Sequence, residues 1–163
     1  MKRSVYIIED DMFYATILNE ELKRAGVEKT KIFYTAKDFL KVIDEKPDVV
    51  LLDHQLGSEN GVDLLRKIKT TYPEIEVIFL SGQEELGVAV KALKYGAFDY
   101  VEKNSSAFAR VKRLLNRIDH LKRLISENAQ VRRAKRLAFS AIAVFFGVLI
   151  VLNTIYPNAF TGL

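Results

Sequence analysis

Short apolar runs alternate with amphipathic segments through the first hundred or so residues. Val5-Tyr6-Ile7-Ile8, Lys31-Ile32-Phe33-Tyr34, Val49-Val50-Leu51-Leu52, Val77-Ile78-Phe79-Leu80 and Phe98-Asp99-Tyr100-Val101 are each too short for a helix and read as strands. Between them the apolar positions take helical spacing. Phe13, Ile17, Leu18 and Leu22 do so over residues 12–25, Phe39, Leu40 and Ile43 over 36–45, and Val62, Leu65 and Ile68 over 61–71. A fourth helix is predicted over 84–95. Gly26, Pro73 and Gly96 supply the stops, and Ser105 is placed to cap a fifth helix. Strand–helix alternation with short connections predicts an α/β fold. Its core is a doubly wound five-stranded parallel sheet, flavodoxin-like in order 2-1-3-4-5, with right-handed crossovers and helices on both faces.

The third strand carries the strongest signal. Four large apolar residues, Val49 to Leu52, follow Pro47-Asp48 and lead to one carboxylate, Asp53, before a loop with Gly57 and Gly61. A continuous apolar run predicts a central strand buried on both faces. Asp53 then stands at its carboxyl end, where open α/β sheets place their ligands. A carboxylate there is costly unless something pairs with it. On the same sheet edge the first strand ends in Glu9 and Asp10, the fourth in Ser81, and the fifth is followed by Lys103. Carboxylates crowded together without His or Cys call for a hard divalent cation, Mg²⁺ above others. Asp53 is then a candidate carboxylate nucleophile toward phosphorus, with Lys103 and Ser81 placed to meet a phosphoryl group.

Beyond residue 105 the alternation stops. Val111, Leu114, Ile118, Leu121 and Ile125 repeat at intervals of three and four, and Asn128 takes the next slot. Helix 105–128 is therefore either a long amphipathic helix or a homodimer seam. Residues 137–155 contain no charged residue and approach the ~20 residues that span a bilayer. Arg132, Arg133, Lys135 and Arg136 precede them directly, which sets that flank on the cytoplasmic side, with Tyr156 near the far interface.

Charge sharpens this division. Residues 1–104 hold 15 Lys/Arg against 19 Asp/Glu, a net of −4, and residues 105–136 hold 10 against 2, a net of +8. Residues 137–163 hold none, so the overall +4 describes no single part. With no cysteine there is no disulfide framework and no thiolate metal site. Met1-Lys2-Arg3-Ser4 leads straight into a strand, so no signal peptide is expected. The expected organisation is a domain over 1–122, a basic linker over 123–136, a transmembrane helix over 137–156 and a tail over 157–163.

Four stretches, Ile7-Ile8-Glu9-Asp10-Asp11, Leu51-Leu52-Asp53-His54-Gln55-Leu56 with Gly61, Leu80-Ser81-Gly82 and Gly96-Ala97-Phe98-Asp99-Tyr100-Val101-Glu102-Lys103, resemble the receiver domains of bacterial two-component response regulators. The resemblance covers residues 3–122 and implies the following roles. Asp53 accepts a phosphoryl group from a histidine kinase. Glu9 and Asp10 form the acidic pair. Asp10, Asp53 and the backbone carbonyl of Gln55 ligate Mg²⁺. Ser81 and Tyr100 form the switch pair, and Lys103 contacts the phosphoryl group. The one departure is Gly57, where proline is usual, and a looser loop is expected there.

The whole then reads as a membrane-anchored, single-domain response regulator, not an enzyme beyond self-catalysed phosphotransfer. It would sit in the bacterial inner membrane as a single-pass protein with its receiver in the cytoplasm. Its partners would be a histidine kinase, the bilayer and a membrane or membrane-proximal output protein. Two alternatives stand beside this: a relay passing phosphate from Asp53 to a histidine phosphotransfer protein, and a DNA-binding regulator using the basic segment 110–136. Lipid head groups explain the placement of that basic segment better, so nucleic acid is not an expected partner.

Overall fold

The computed structural model describes residues 3–82 and 86–155. The strands in chain order are β1 (Ser4–Ile8), β2 (Lys29–Phe33), β3 (Val49–Asp53), β4 (Gln55–Leu56), β5 (Glu59–Asn60), β6 (Glu76–Ser81) and β7 (Asp99–Glu102). The helices are α1 (Met12–Arg24), α2 (Ala36–Leu40), α3 (Gly61–Thr71), α4 (Leu86–Lys94) and α5 (Ala107–Ile155). Five strands form one parallel sheet in the order β2-β1-β3-β6-β7, which is the predicted doubly wound order. β4 and β5 pair antiparallel as a separate small hairpin that the hydrophobic pattern did not predict. The start of the predicted fourth helix, residues 84–85, lies outside the described residues.

Contacts divide the chain into two units, Met1–Ile118 and Asp119–Leu163. In the first, β3 is central and all five of its residues are buried. Side chains alternate across the sheet. Tyr6, Ile8, Val50, Leu52, Val77 and Phe79 pack with α2, α3 and α4, while Val5, Ile7, Val49, Leu51, Ile78 and Leu80 pack with α1 and the start of α5. Each fully buried aliphatic side chain contributes roughly 1.5–3 kcal/mol. This double-sided burial holds the carboxyl ends of β1, β3 and β6 in register.

Two elements differ from the sequence pattern. The second helix ends at Leu40, and Ile43–Glu45 form a 3₁₀ turn closed by Lys46 at φ 49°. Pro47 keeps Lys46 out of helical backbone, and the 3₁₀ turn before it still places Ile43 in the core. In α1 Leu18 and Leu22 face inward as their spacing predicts, joined by Ala15, whereas Ile17 is half-buried and Phe13, in the first turn, is exposed.

In the second unit α5 continues to Ile155 with its large apolar side chains exposed, among them Leu121, Ile125, Phe139, Phe145 and Ile150. This helix is long and apolar enough to cross a membrane. Val111, Leu114 and Ile118 lie in the core of the first unit, so only Leu121 and Ile125 of the predicted seam remain exposed. Tyr156 and the tail over 157–163 lie outside the described residues.

Candidate functional site

The strand ends deliver their polar residues as a set. Glu9 follows β1 and is anchored by its N–H, which donates to the Phe33 carbonyl at 3.0 Å. Asp11 is spent as the α1 cap, accepting from the Phe13 and Tyr14 N–H groups at 2.9 and 3.1 Å. His54, just past Asp53, donates its N–H to the Leu80 carbonyl and to Asp53 Oδ1, both at 2.8 Å. A Cβ at Gly61 would lie 2.0 Å from the Asp53 carbonyl oxygen, so only glycine lets α3 start against the end of β3. Lys103 is fixed at its backbone, its N–H donating to the Ser81 carbonyl at 2.7 Å.

Carboxylate oxygens of Glu9, Asp10 and Asp53 lie within 4.8 Å of one another. Lys103 Nζ sits 2.6 Å from Glu9 Oε2 and 2.9 Å from Asp53 Oδ1. The first is an ion-pair contact rather than an aligned hydrogen bond. Glu9 and Asp53 are buried, whereas Asp10 is exposed. Burial raises the Glu9 carboxyl to about 7, the Asp53 charge adds to the rise, and Lys103 opposes it. Three carboxylates share one ammonium, so the cluster is short of positive charge. Its donors are all oxygen, with no nitrogen or sulfur ligand among them, and this fits Mg²⁺.

Asp53, His54, Gln55, Ser81, Gly82 and Lys103 line an open cleft of about 260 Å³, roomy enough for a phosphoryl group. The fold thus gathers Glu9, Asp10, Asp53, Ser81, Gln55 and Lys103 at one sheet edge. Tyr100 stands apart in β7, half-buried, with its ring stacked at 6.5 Å on Phe79. Phe79 in turn touches the His54 ring at 5.9 Å.

Two participants were not legible in the sequence. Tyr14 lays its ring face 4.7 Å from Lys103 Nζ and stacks at 5.9 Å on Phe108 of α5. Burial lifts its hydroxyl to about 12, with the Glu9 and Asp53 charges adding to the rise, so it stays neutral. Nothing in the local sequence marks a helical tyrosine for this place. Gly57 is the second; its N–H donates to Asp10 Oδ2 at 2.9 Å. The expected loose loop is instead the β4–β5 hairpin, with Gly57 at φ 62° as its turn residue. The dipeptide Gly57-Ser58 was the available signal.

A parallel α/β sheet with a buried strand-end aspartate, an acidic pair and a lysine defines a class of phosphoacceptor module. Residues 5–118 match the family model of the response regulator receiver domain, and the chain belongs to that family. Among curated relatives, the DNA-binding transcriptional regulator NtrC of Proteus hauseri is 36% identical over 103 residues, covering 63% of this chain and 22% of that protein. A putative NtrX-like response regulator of Rickettsia typhi is 40% identical over 102 residues, covering 61% and 21%. The matched segment thus spans about a fifth of these relatives' length. Among solved structures, the response regulator DrrB of Thermotoga maritima superposes with a TM-score of 0.63 at 34% identity, covering 72% of this chain and 54% of that one. A receiver domain protein of Clostridium thermocellum gives 0.69 at 27% identity, covering 76% and 98%.

Proposed function

We propose that Asp53 accepts a phosphoryl group from a histidine kinase and that the chain acts as a membrane-anchored receiver. The observation that carries the first half is the placement of Asp53, which is buried at the end of β3, 2.9 Å from Lys103 and within 4.8 Å of the Glu9 and Asp10 carboxylates. Asp53 Oδ forms the new P–O bond as the P–N bond to the donor imidazole breaks, and the departing imidazole takes a proton from solvent. Glu9, Asp10, Asp53 and the Gln55 carbonyl would hold Mg²⁺, which neutralises charge on the phosphoryl oxygens. Lys103 shifts from the carboxylates to a phosphoryl oxygen, and the Ser81 hydroxyl donates to another. Tyr100 closes in behind Ser81, changing the surface around β7. The chain turns over no substrate; transfer and later hydrolysis occur on its own aspartate.

The anchor is supported by the exposed apolar side chains from Leu137 to Leu152 and by Arg132, Arg133, Lys135 and Arg136 beside them. A soluble core helix would bury such a face. The consequence of phosphorylation is then a changed contact with an output protein at the cytoplasmic membrane surface. Incubation with a small phosphodonor and Mg²⁺ labels the full chain and leaves Asp53→Asn unlabelled; equal labelling of both removes Asp53 from the role. Sedimentation with membranes, released by detergent and not by salt, supports the anchor, and a chain that stays soluble without detergent refutes it.

A further inference from the structure

The β4–β5 hairpin does more than present the Gln55 carbonyl. Four of its residues are fixed. Leu56 is buried in the core, and Glu59 Oε2 accepts the Ala36 N–H at 3.1 Å at the start of α2. Asn60 caps α3, accepting the Val62 N–H at 2.8 Å. The fourth is Gly57, whose N–H donates to Asp10 Oδ2 at 2.9 Å across 47 residues of sequence.

Packing does not demand glycine at this turn, because a Cβ there would meet nothing within 4 Å. Two other properties matter. The backbone is left-handed, at φ 62°, and the N–H is used. Proline can supply neither, since it lacks the N–H and holds φ near −65°. Asp10 is the exposed member of the acidic group, so its carboxylate is the one free to turn away into solvent. A rigid backbone donor on Oδ2 restricts the rotation of that carboxylate, which lies within reach of Glu9 and Asp53.

We infer that Gly57 is a positioning residue for the divalent-cation site, its backbone N–H holding the Asp10 carboxylate in the binding orientation from a hairpin anchored to α2 and α3. This rests on the Mg²⁺ reading of the Glu9–Asp10–Asp53 cluster. Groups that orient a metal ligand are worth roughly 10–100-fold in affinity, and the exposure of Asp10 places Gly57 at the lower end.

The test is Mg²⁺ titration of the full chain in mild detergent by calorimetry, without a phosphodonor. Gly57→Pro should bind Mg²⁺ about 10-fold more weakly than the native chain. Gly57→Asn keeps the N–H, tolerates the left-handed backbone, and should stay within about twofold. In an Asp10→Ala background, Gly57→Pro should change nothing further. Native affinity in Gly57→Pro, or the same loss with and without Asp10, overturns the inference while leaving the Mg²⁺ site standing. A native chain that binds no Mg²⁺ overturns both. If Gly57→Pro does not fold, the Gly57 amide resonance decides: Mg²⁺ should shift it in the native chain and not in Asp10→Ala, and an unmoved native resonance refutes the tether.

Discussion

The two units of this chain treat apolar residues in opposite ways. In Met1–Ile118 the large aliphatic side chains of β1, β3 and β6 are covered by the chain's own helices. From Leu137 to Leu152 large apolar side chains, Phe139, Val144 and Ile150 among them, remain exposed. The first unit draws its stability from within. The second unit's apolar surface has no cover among the described residues, and under the proposed anchor a bilayer would supply one without demanding a shaped partner. The chemistry follows the same division: every candidate site residue lies in the first unit, and the uncharged run lies in the second.

A pair of substitutions tests whether the two parts are as separate as this. Leu51→Ala removes a fully buried side chain and should cost the first unit about 2–5 kcal/mol in urea unfolding, leaving membrane partition unchanged. Phe146→Arg should do the reverse. A charge near the middle of a membrane helix costs about 2.5–3.5 kcal/mol of insertion, while unfolding of the first unit should move by less than about 0.5 kcal/mol. If Phe146→Arg destabilises the first unit, the apolar run is covered by protein and the comparison fails.

Within the first unit, smaller effects separate the site from its surroundings. Tyr14→Leu removes the ring face over Lys103 and should slow labelling by a small phosphodonor by about fivefold, in line with an interaction of roughly 1 kcal/mol. Tyr14→Phe should label at the native rate, because the hydroxyl is neutral and only the ring is used. In a Lys103→Met background Tyr14→Leu should have no further effect on labelling.

A separate effect is on pH dependence. Glu9 titrates near 7 when folded, above the ordinary carboxyl value that it has in the unfolded chain. Below pH ~4.5 both states hold the proton and there is no penalty. As pH rises toward ~7 the unfolded chain ionises first, so stability falls over that window and levels off above it. In a chelating buffer, the stability difference between Glu9→Gln and the native chain should grow in favour of Gln from pH 5 to pH 7.5. A flat difference would show that Glu9 ionises normally.

The sheet and most of the site were legible because apolar runs mark strands, and the residue after such a run marks a strand's carboxyl end. Glu9, Asp10, Asp53, Ser81 and Lys103 were found that way. The β4–β5 hairpin was not, because two-residue strands carry no periodicity and only Gly57-Ser58 hinted at the turn. The helix predicted over 36–45 ends at Leu40, because a 3₁₀ turn keeps Ile43 buried at a spacing that apolar periodicity cannot tell from α-helix. Helical spacing placed Leu18 and Leu22 correctly but could not show that Phe13, in the first turn of the same helix, is exposed. Tyr14 meets Lys103 and Phe108, each about ninety residues away in sequence, through tertiary packing that no local pattern encodes.

The central claim is that Asp53 carries the phosphoryl group, and an acyl phosphate can be trapped where it forms. The full chain, incubated with a small phosphodonor and Mg²⁺ and then reduced with borohydride, should yield homoserine at position 53 by peptide mass spectrometry. None should form there without the phosphodonor or in Asp53→Asn. Homoserine from another aspartate, or label that survives reduction on a serine, threonine or histidine, would contradict the account.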